Sequence, residues 1–161
     1  MTPTSPTVVE EVMGILSDYE GSIREVDPFE LTSEERARAH LRGRTRSGRE
    51  LLVSLEHGRE LEEGDLLVVE NGVAVVVAAA AEDVLEVLPA SPREWGVAAY
   101  QLGNMHRPLR FNDNGFLTPY EPSSEDALRN VGVSCRRQRR GFTGERVGSV
   151  TGHHHDHDHD G

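Results

Sequence analysis

Val84-Leu85-Glu86-Val87-Leu88-Pro89-Ala90-Ser91-Pro92-Arg93-Glu94-Trp95 is the stretch on which the fold turns. Val84, Leu85, Val87 and Leu88 read as a strand. Three signals then agree on a helix start: Ser91 as N-cap, Pro92 at the first helical position, and Glu94 three residues after the cap. Trp95, Ala98, Ala99 and Leu102 follow at helical spacing. The helix is predicted to stop around Gly103-Asn104, both tolerant of a left-handed cap.

The alternation continues downstream. Arg107 to Phe111 reads as a strand, Asn112-Asp113-Asn114-Gly115 as a turn, and Phe116 to Tyr120 as a second strand. A helix is expected to start at Ser123-Ser124-Glu125-Asp126 and end at Gly132, with Ala127, Leu128 and Val131 on its apolar side. Val133 to Arg140 closes the series as a strand. Strand, helix, strand, strand, helix, strand is the ferredoxin-like βαββαβ order.

Upstream the pattern has period two. Leu51, Val53 and Leu55 alternate with polar or second-face residues, and His57-Gly58 supplies a turn. Gly64-Asp65 opens the run Leu66 to Val69. Asn71-Gly72 is the strongest short hairpin signal, because both central residues must accept positive φ, and Val73, Val75 and Val77 resume after it. Such closely spaced β-branched runs predict a small antiparallel sheet domain. From Arg36 to Arg46 the even positions are arginine except at His40, which predicts a solvated sheet face. Val8 to Val26 fits a strand pair or a short helix equally. The fold class expected is therefore α+β: an N-terminal antiparallel β domain over 1–81, a ferredoxin-like domain over 82–141, and a flexible linker with a disordered His-rich tail over 142–161.

Composition removes several function classes. The 161-residue chain is 36% hydrophobic and 28% charged, as a globular protein is. Its net charge of -11, with no lysine at all, argues against a nucleic-acid binder, which needs a basic stripe to displace counterions. The longest apolar run, Val73 to Ala81, is too short to span a bilayer. Met1 to Thr7 has neither a basic nor an apolar segment of a secretory leader, so a cytoplasmic location and no membrane partner are expected. Cys135 is the only cysteine, which rules out an intrachain disulfide and a thiolate cluster; it reads as a small apolar residue in a strand.

The histidines carry the chemistry. His153, His154, His155, His157 and His159 fall in the last nine residues, alternating in part with Asp156, Asp158 and Asp160. Imidazole suits nickel, copper and zinc, and a mobile tail can fold several imidazoles and a carboxylate around one ion. Copper should bind such a tail more tightly than nickel, so the tail alone is not nickel-selective. A purification tag is the competing reading, but tags are uninterrupted runs, and this one alternates with aspartate and ends in Asp-Gly. His106 is the second candidate, in Gly103-Asn104-Met105-His106-Arg107-Pro108 between a helix end and a strand. One imidazole is too few ligands. A two-fold dimer would bring two His106 side chains to one axis, where tail histidines could cap the ion. His40 and His57 read as structural or solvent-facing. No G-x-x-x-x-G-K-[ST], H-E-x-x-H or G-x-S-x-G motif occurs, so nucleotide hydrolysis and hydrolase chemistry are not expected.

Ala99-Tyr100-Gln101-Leu102-Gly103-Asn104-Met105-His106-Arg107-Pro108-Leu109 resembles the signature A-Y-x-L-G-N-x-H-x-P-L of the urease accessory protein UreE family. Ser47-Gly48-Arg49-Glu50, Gly64-Asp65 and Asn71-Gly72 resemble the same family's N-terminal part, and the likeness covers roughly residues 8–140. The resemblance implies a non-enzymatic nickel metallochaperone. Its N-terminal β domain would contact partner proteins, and its ferredoxin-like domain would form a homodimer with His106 binding Ni(II) at the interface. The tail would add capacity, and Zn(II) or Cu(II) would bind in vitro. The metal would pass to a urease accessory GTPase and into the dinuclear nickel site of the urease apoprotein. Many relatives carry further histidines after the two central strands; here that place reads Leu117-Thr118-Pro119-Tyr120-Glu121-Pro122 and has none. The alternative is a metal storage or buffering protein without dedicated delivery.

Overall fold

A computed structural model describes residues 5–56 and 59–145. Eleven strands and three α-helices occur among the described residues. The first half contains β1 (Thr7–Val9), β2 (Gly14–Ile15), a 3-10 turn (Leu16–Tyr19), β3 (Glu25–Leu31), α1 (Ser33–Arg36), β4 (His40–Arg44), β5 (Glu50–Ser54), β6 (Asp65–Glu70) and β7 (Val73–Ala79). The second contains β8 (Ala81–Leu88), α2 (Pro92–Asn104), β9 (Arg110–Asn112), β10 (Gly115–Pro119), α3 (Pro122–Asn130) and β11 (Ser134–Gly141).

The first half folds as two sheets, ordered β1-β5-β4 and β2-β6-β7-β3. Their inner faces share one apolar core that includes Val9, Phe29, Leu31, Leu51, Val53, Leu67, Val75 and Val77. The Asn71-Gly72 hairpin forms as its residues require, with φ of 52° and 77°. The expectation of a purely antiparallel domain is corrected: β1 pairs with β5 in parallel, and so does β3 with β7. Tight-turn chemistry reveals only local antiparallel pairs. A parallel pair joins distant segments and leaves no turn signature. The arginine alternation holds on β4, where Arg42 and Arg44 are exposed, but Arg36 breaks it by lying on α1 with 5% exposure.

Asp27 anchors the β3 end of this core. It is buried and accepts bonds from the Ser47 amide (2.9 Å) and the Ser47 hydroxyl (2.5 Å). Burial pushes its carboxyl up, but the Ser47 and Thr45 hydroxyls, the Ser47 amide and the charge of Arg49 outweigh it, and the group is held below its ordinary value. A carboxylate with a depressed folded-state pKa contributes stability above its unfolded value, about 4, and loses it as pH falls through the folded one. Urea midpoints of Asp27→Asn should therefore lie below the parent at neutral pH and fall less steeply between pH 5 and 2. Parallel curves for the two proteins would remove Asp27 from the acid transition.

In the second half, one four-stranded sheet runs β11-β8-β10-β9 with every neighbouring pair antiparallel. Strand alternation sends Leu85, Val87 and Phe116 toward Ala98 and Leu102 of α2 and Leu128 of α3. Val84 and Leu117 point to the other face and meet Phe142. The predicted α2 start is present: Ser91 Oγ accepts from the Glu94 amide at 3.2 Å, and Pro92 opens the helix. Helix α3 begins one residue earlier than expected, at Pro122, after Glu121 as N-cap.

The halves are joined by more than the single residue between β7 and β8. Buried Arg36 donates to the carbonyls of Leu31 (3.0 Å) and Phe142. The amide and hydroxyl of Ser33 donate to Glu82 at 2.7 and 2.6 Å. No helix among the described residues is long and apolar enough to cross a membrane.

Candidate metal centre

His106 sits where α2 ends. The Met105 amide still bonds back to Gln101, but His106 turns left-handed, with φ of 55°. The His106 amide donates to Gly103 (3.0 Å) and the Arg107 amide to Leu102 (3.0 Å). This pair of bonds around a left-handed residue is the Schellman helix stop, in which the left-handed place normally falls to glycine. The expected left-handed residue was Gly103 or Asn104; both are instead inside the helix, and the histidine takes the strained position. A non-glycine residue there costs about 1 kcal/mol or more. A histidine kept at such a cost fits a part other than packing.

The side chain is exposed, with no hydrogen bond or ion pair to its imidazole among the described residues. The following residues fasten the loop that carries it. Arg107 donates to the Pro119 carbonyl (3.0 Å) and pairs with Glu121 (2.8 Å), and the Leu109 carbonyl accepts from the Glu145 amide at 2.7 Å. His106 lines a groove whose opposite wall is α1 and the Glu60–Glu63 segment. Its carboxylates give the groove a field that favours cations. Several are already engaged: Glu82 by Ser33, Glu121 by Arg107, Glu63 by the Thr143 hydroxyl at 3.1 Å, Asp83 by Arg137 at 3.0 Å.

Among the described residues, no group of three or more His, Cys, Asp or Glu side chains is arranged to hold a metal ion. Among the described residues His106 is the exposed imidazole without a hydrogen bond, and a complete protein shell for an ion at His106 needs donors from another copy or from residues outside those described. His153, His154, His155, His157 and His159 lie outside the described residues, as does His57. His40 is exposed, with Nδ1 3.0 Å from the Ser54 hydroxyl. Cys135 is half-buried against the core under α3; burial and the charge of Glu125 push its thiol up despite Arg129, which makes it a poor thiolate donor.

Sequence reasoning singled out His106 but not Arg107 or Glu121. The only available signal was position, a bulky cation directly after the candidate ligand. That Arg107 reaches across to the N-cap of α3 depends on the sheet order and is invisible in local spacing.

Two family models match the chain. The UreE urease accessory protein N-terminal domain covers residues 9–80, and the UreE urease accessory protein C-terminal domain covers residues 82–161. The chain is similar to the urease accessory protein UreE of Geobacillus kaustophilus, 28% identical over 149 residues, which are 92% of this chain and 99% of the relative. It is 38% identical over 112 residues to the protein of that name from a Synechococcus species, covering 70% of this chain and 75% of the relative. With the Staphylococcus carnosus protein of that name it shares 30% identity over 135 residues, 83% of this chain and 90% of the relative.

Proposed function

The chain belongs to the UreE urease accessory protein family, and from that premise we propose that it is a cytoplasmic nickel metallochaperone, not an enzyme. It binds Ni(II) as cargo and delivers it, through a urease accessory GTPase, to the apoprotein of urease for assembly of the dinuclear nickel site. His106 is the fixed ligand. His153, His154, His155, His157 and His159 on the tail add weaker binding capacity. The domains divide at 1–81, for partner contact, 82–141, a ferredoxin-like unit for metal binding and dimerisation, and 142–161, linker and tail.

The observation that carries this reading is the exposed His106 imidazole on a fastened, left-handed helix stop. A single imidazole per chain cannot close a coordination shell. In a homodimer the two-fold axis pairs it with its own copy. Tyr100, 68% exposed on the helix that ends at His106, supports a contact surface on that side. An ion held by two fixed imidazoles and donors from the tail keeps positions open to an incoming partner's ligands, whereas a closed four-ligand cage would not release it. A protonated imidazole cannot ligate, so nickel binding weakens as pH falls.

Calorimetric nickel titration of the full chain beside a chain lacking 153–161 tests the reading. The truncated chain should keep one tight ion per two chains and lose the weaker sites. A truncated protein that is monomeric and indifferent to nickel would overturn it.

A further inference from the structure

We propose that Arg107 is a positioning residue for His106, acting through Pro119 and Glu121 to hold the imidazole in the one backbone state that presents it to a metal. The inference rests on His106 being a nickel ligand.

The left-handed conformation at His106 is not self-sustaining. With φ of 55° the residue would relax to right-handed or extended backbone if its loop were free. Two amide bonds oppose that, and one of them belongs to Arg107, whose N–H reaches Leu102. The side chain of the same residue is then pinned. Its guanidinium donates at 3.0 Å to the Pro119 carbonyl at the end of β10 and at 2.8 Å to Glu121, the N-cap of α3. Only 17% of that side chain is exposed. Fixing both ends of Arg107 fixes the residue before it.

The arrangement is not the one that stability alone would select. The Arg107 Nε is buried with no hydrogen-bond partner among the described residues. An unsatisfied buried donor is costly, and it accompanies a guanidinium whose other nitrogens span two separate elements. The arginine thus ties the end of α2 to the start of α3 across the end of the sheet, and the residue so tied is the exposed histidine. Groups that orient a metal ligand without touching the metal commonly matter ten- to a hundred-fold in affinity.

The test uses the full-length chain with its five tail histidines each changed to Asn, so that only the His106 site is read. Nickel affinity is measured by calorimetry, and the backbone state of His106 by its amide-to-Hα coupling in NMR. Arg107→Ala should weaken nickel binding about ten-fold and shift the His106 coupling away from the left-handed value. Arg107→Lys should recover part of both, and Glu121→Gln, which keeps an acceptor but removes the charge, should fall between. Leu128→Val, a core change in α3, should lower Tm and leave nickel affinity and the coupling unchanged. Parent-like affinity in Arg107→Ala and Glu121→Gln would overturn the positioning role while loss of the site in His106→Ala left the ligand assignment standing. Equal weakening by Leu128→Val would reduce the effect to stability and overturn it as well. Retention of the tight site in His106→Ala would overturn the ligand assignment, and this inference with it.

Discussion

Replacing His106 by glycine should abolish the tight nickel site and yet give a protein about 1 kcal/mol more stable than the His106→Ala variant. Both substitutions remove the imidazole, so both should leave only the weaker tail sites. They differ in backbone. Alanine must still occupy φ of 55°, where its Cβ crowds the following carbonyl at a cost of about 1–2 kcal/mol, whereas glycine enters that region freely. Glycine gives part of this back through its larger unfolded-state entropy, about 0.5–1 kcal/mol, which sets the net figure. Urea midpoints of the two variants, with nickel titrations of both, check the two halves separately. Equal midpoints would mean that position 106 is not held left-handed. A tight site surviving in either variant would mean that another group binds the metal. Under the proposed function, stability and metal binding therefore pull in opposite directions at one residue: the best helix stop is glycine, and the proposed ligand is histidine.

That conflict explains which features were legible in the sequence. The start of α2 was readable because its signals agree locally: Ser91 caps, Pro92 opens, Glu94 follows. The end of α2 falls at Asn104, as the local signals indicate, but its left-handed residue was misplaced: the chain puts that turn on His106, which has an unfavourable side chain, rather than on Gly103 or Asn104. His106 itself was legible from its surrounding motif and its solitude between a helix and a strand. Its fastening to Pro119 and Glu121 was not, since those contacts arise from β10 and α3 converging on the end of α2. The parallel pairings β1-β5 and β3-β7 were missed for the same reason: long-range register carries no short-range sequence mark. Val84 and Leu85 illustrate an intermediate case. Their strand was evident, but which neighbour faced the helices was decided by Phe142 folding under the other face.

Gly115→Ala should be the most disruptive single methyl addition in the second half, lowering unfolding free energy by about 3 kcal/mol or more. The Asn112-Asp113-Asn114-Gly115 stretch reads as a turn, and Gly115, which opens β10 without a positive φ, is there for a different reason. A Cβ at this position would lie 1.9 Å from the Val87 carbonyl oxygen and 3.2 Å from Pro89 Cδ. The obstacle is backbone, and no rotamer change relieves it. Either β10 moves away from β8, breaking the pairing of Phe116 with Val87, or the β9–β10 turn is rebuilt. Phe116 lies under α2, its ring 5.8 Å from Trp95, so the fluorescence of this only tryptophan reports the damage directly. Gly96→Ala is the control. Gly96 is in α2 with nothing within 4 Å of its would-be Cβ, so alanine there should stabilise by about 0.5–1 kcal/mol through helix propensity. The same methyl group thus carries opposite signs at two glycines of one domain. Urea unfolding followed at Trp95 should place Gly96→Ala above the parent and Gly115→Ala well below it, and a Gly115→Ala midpoint close to the parent would contradict the close approach of the Val87 carbonyl.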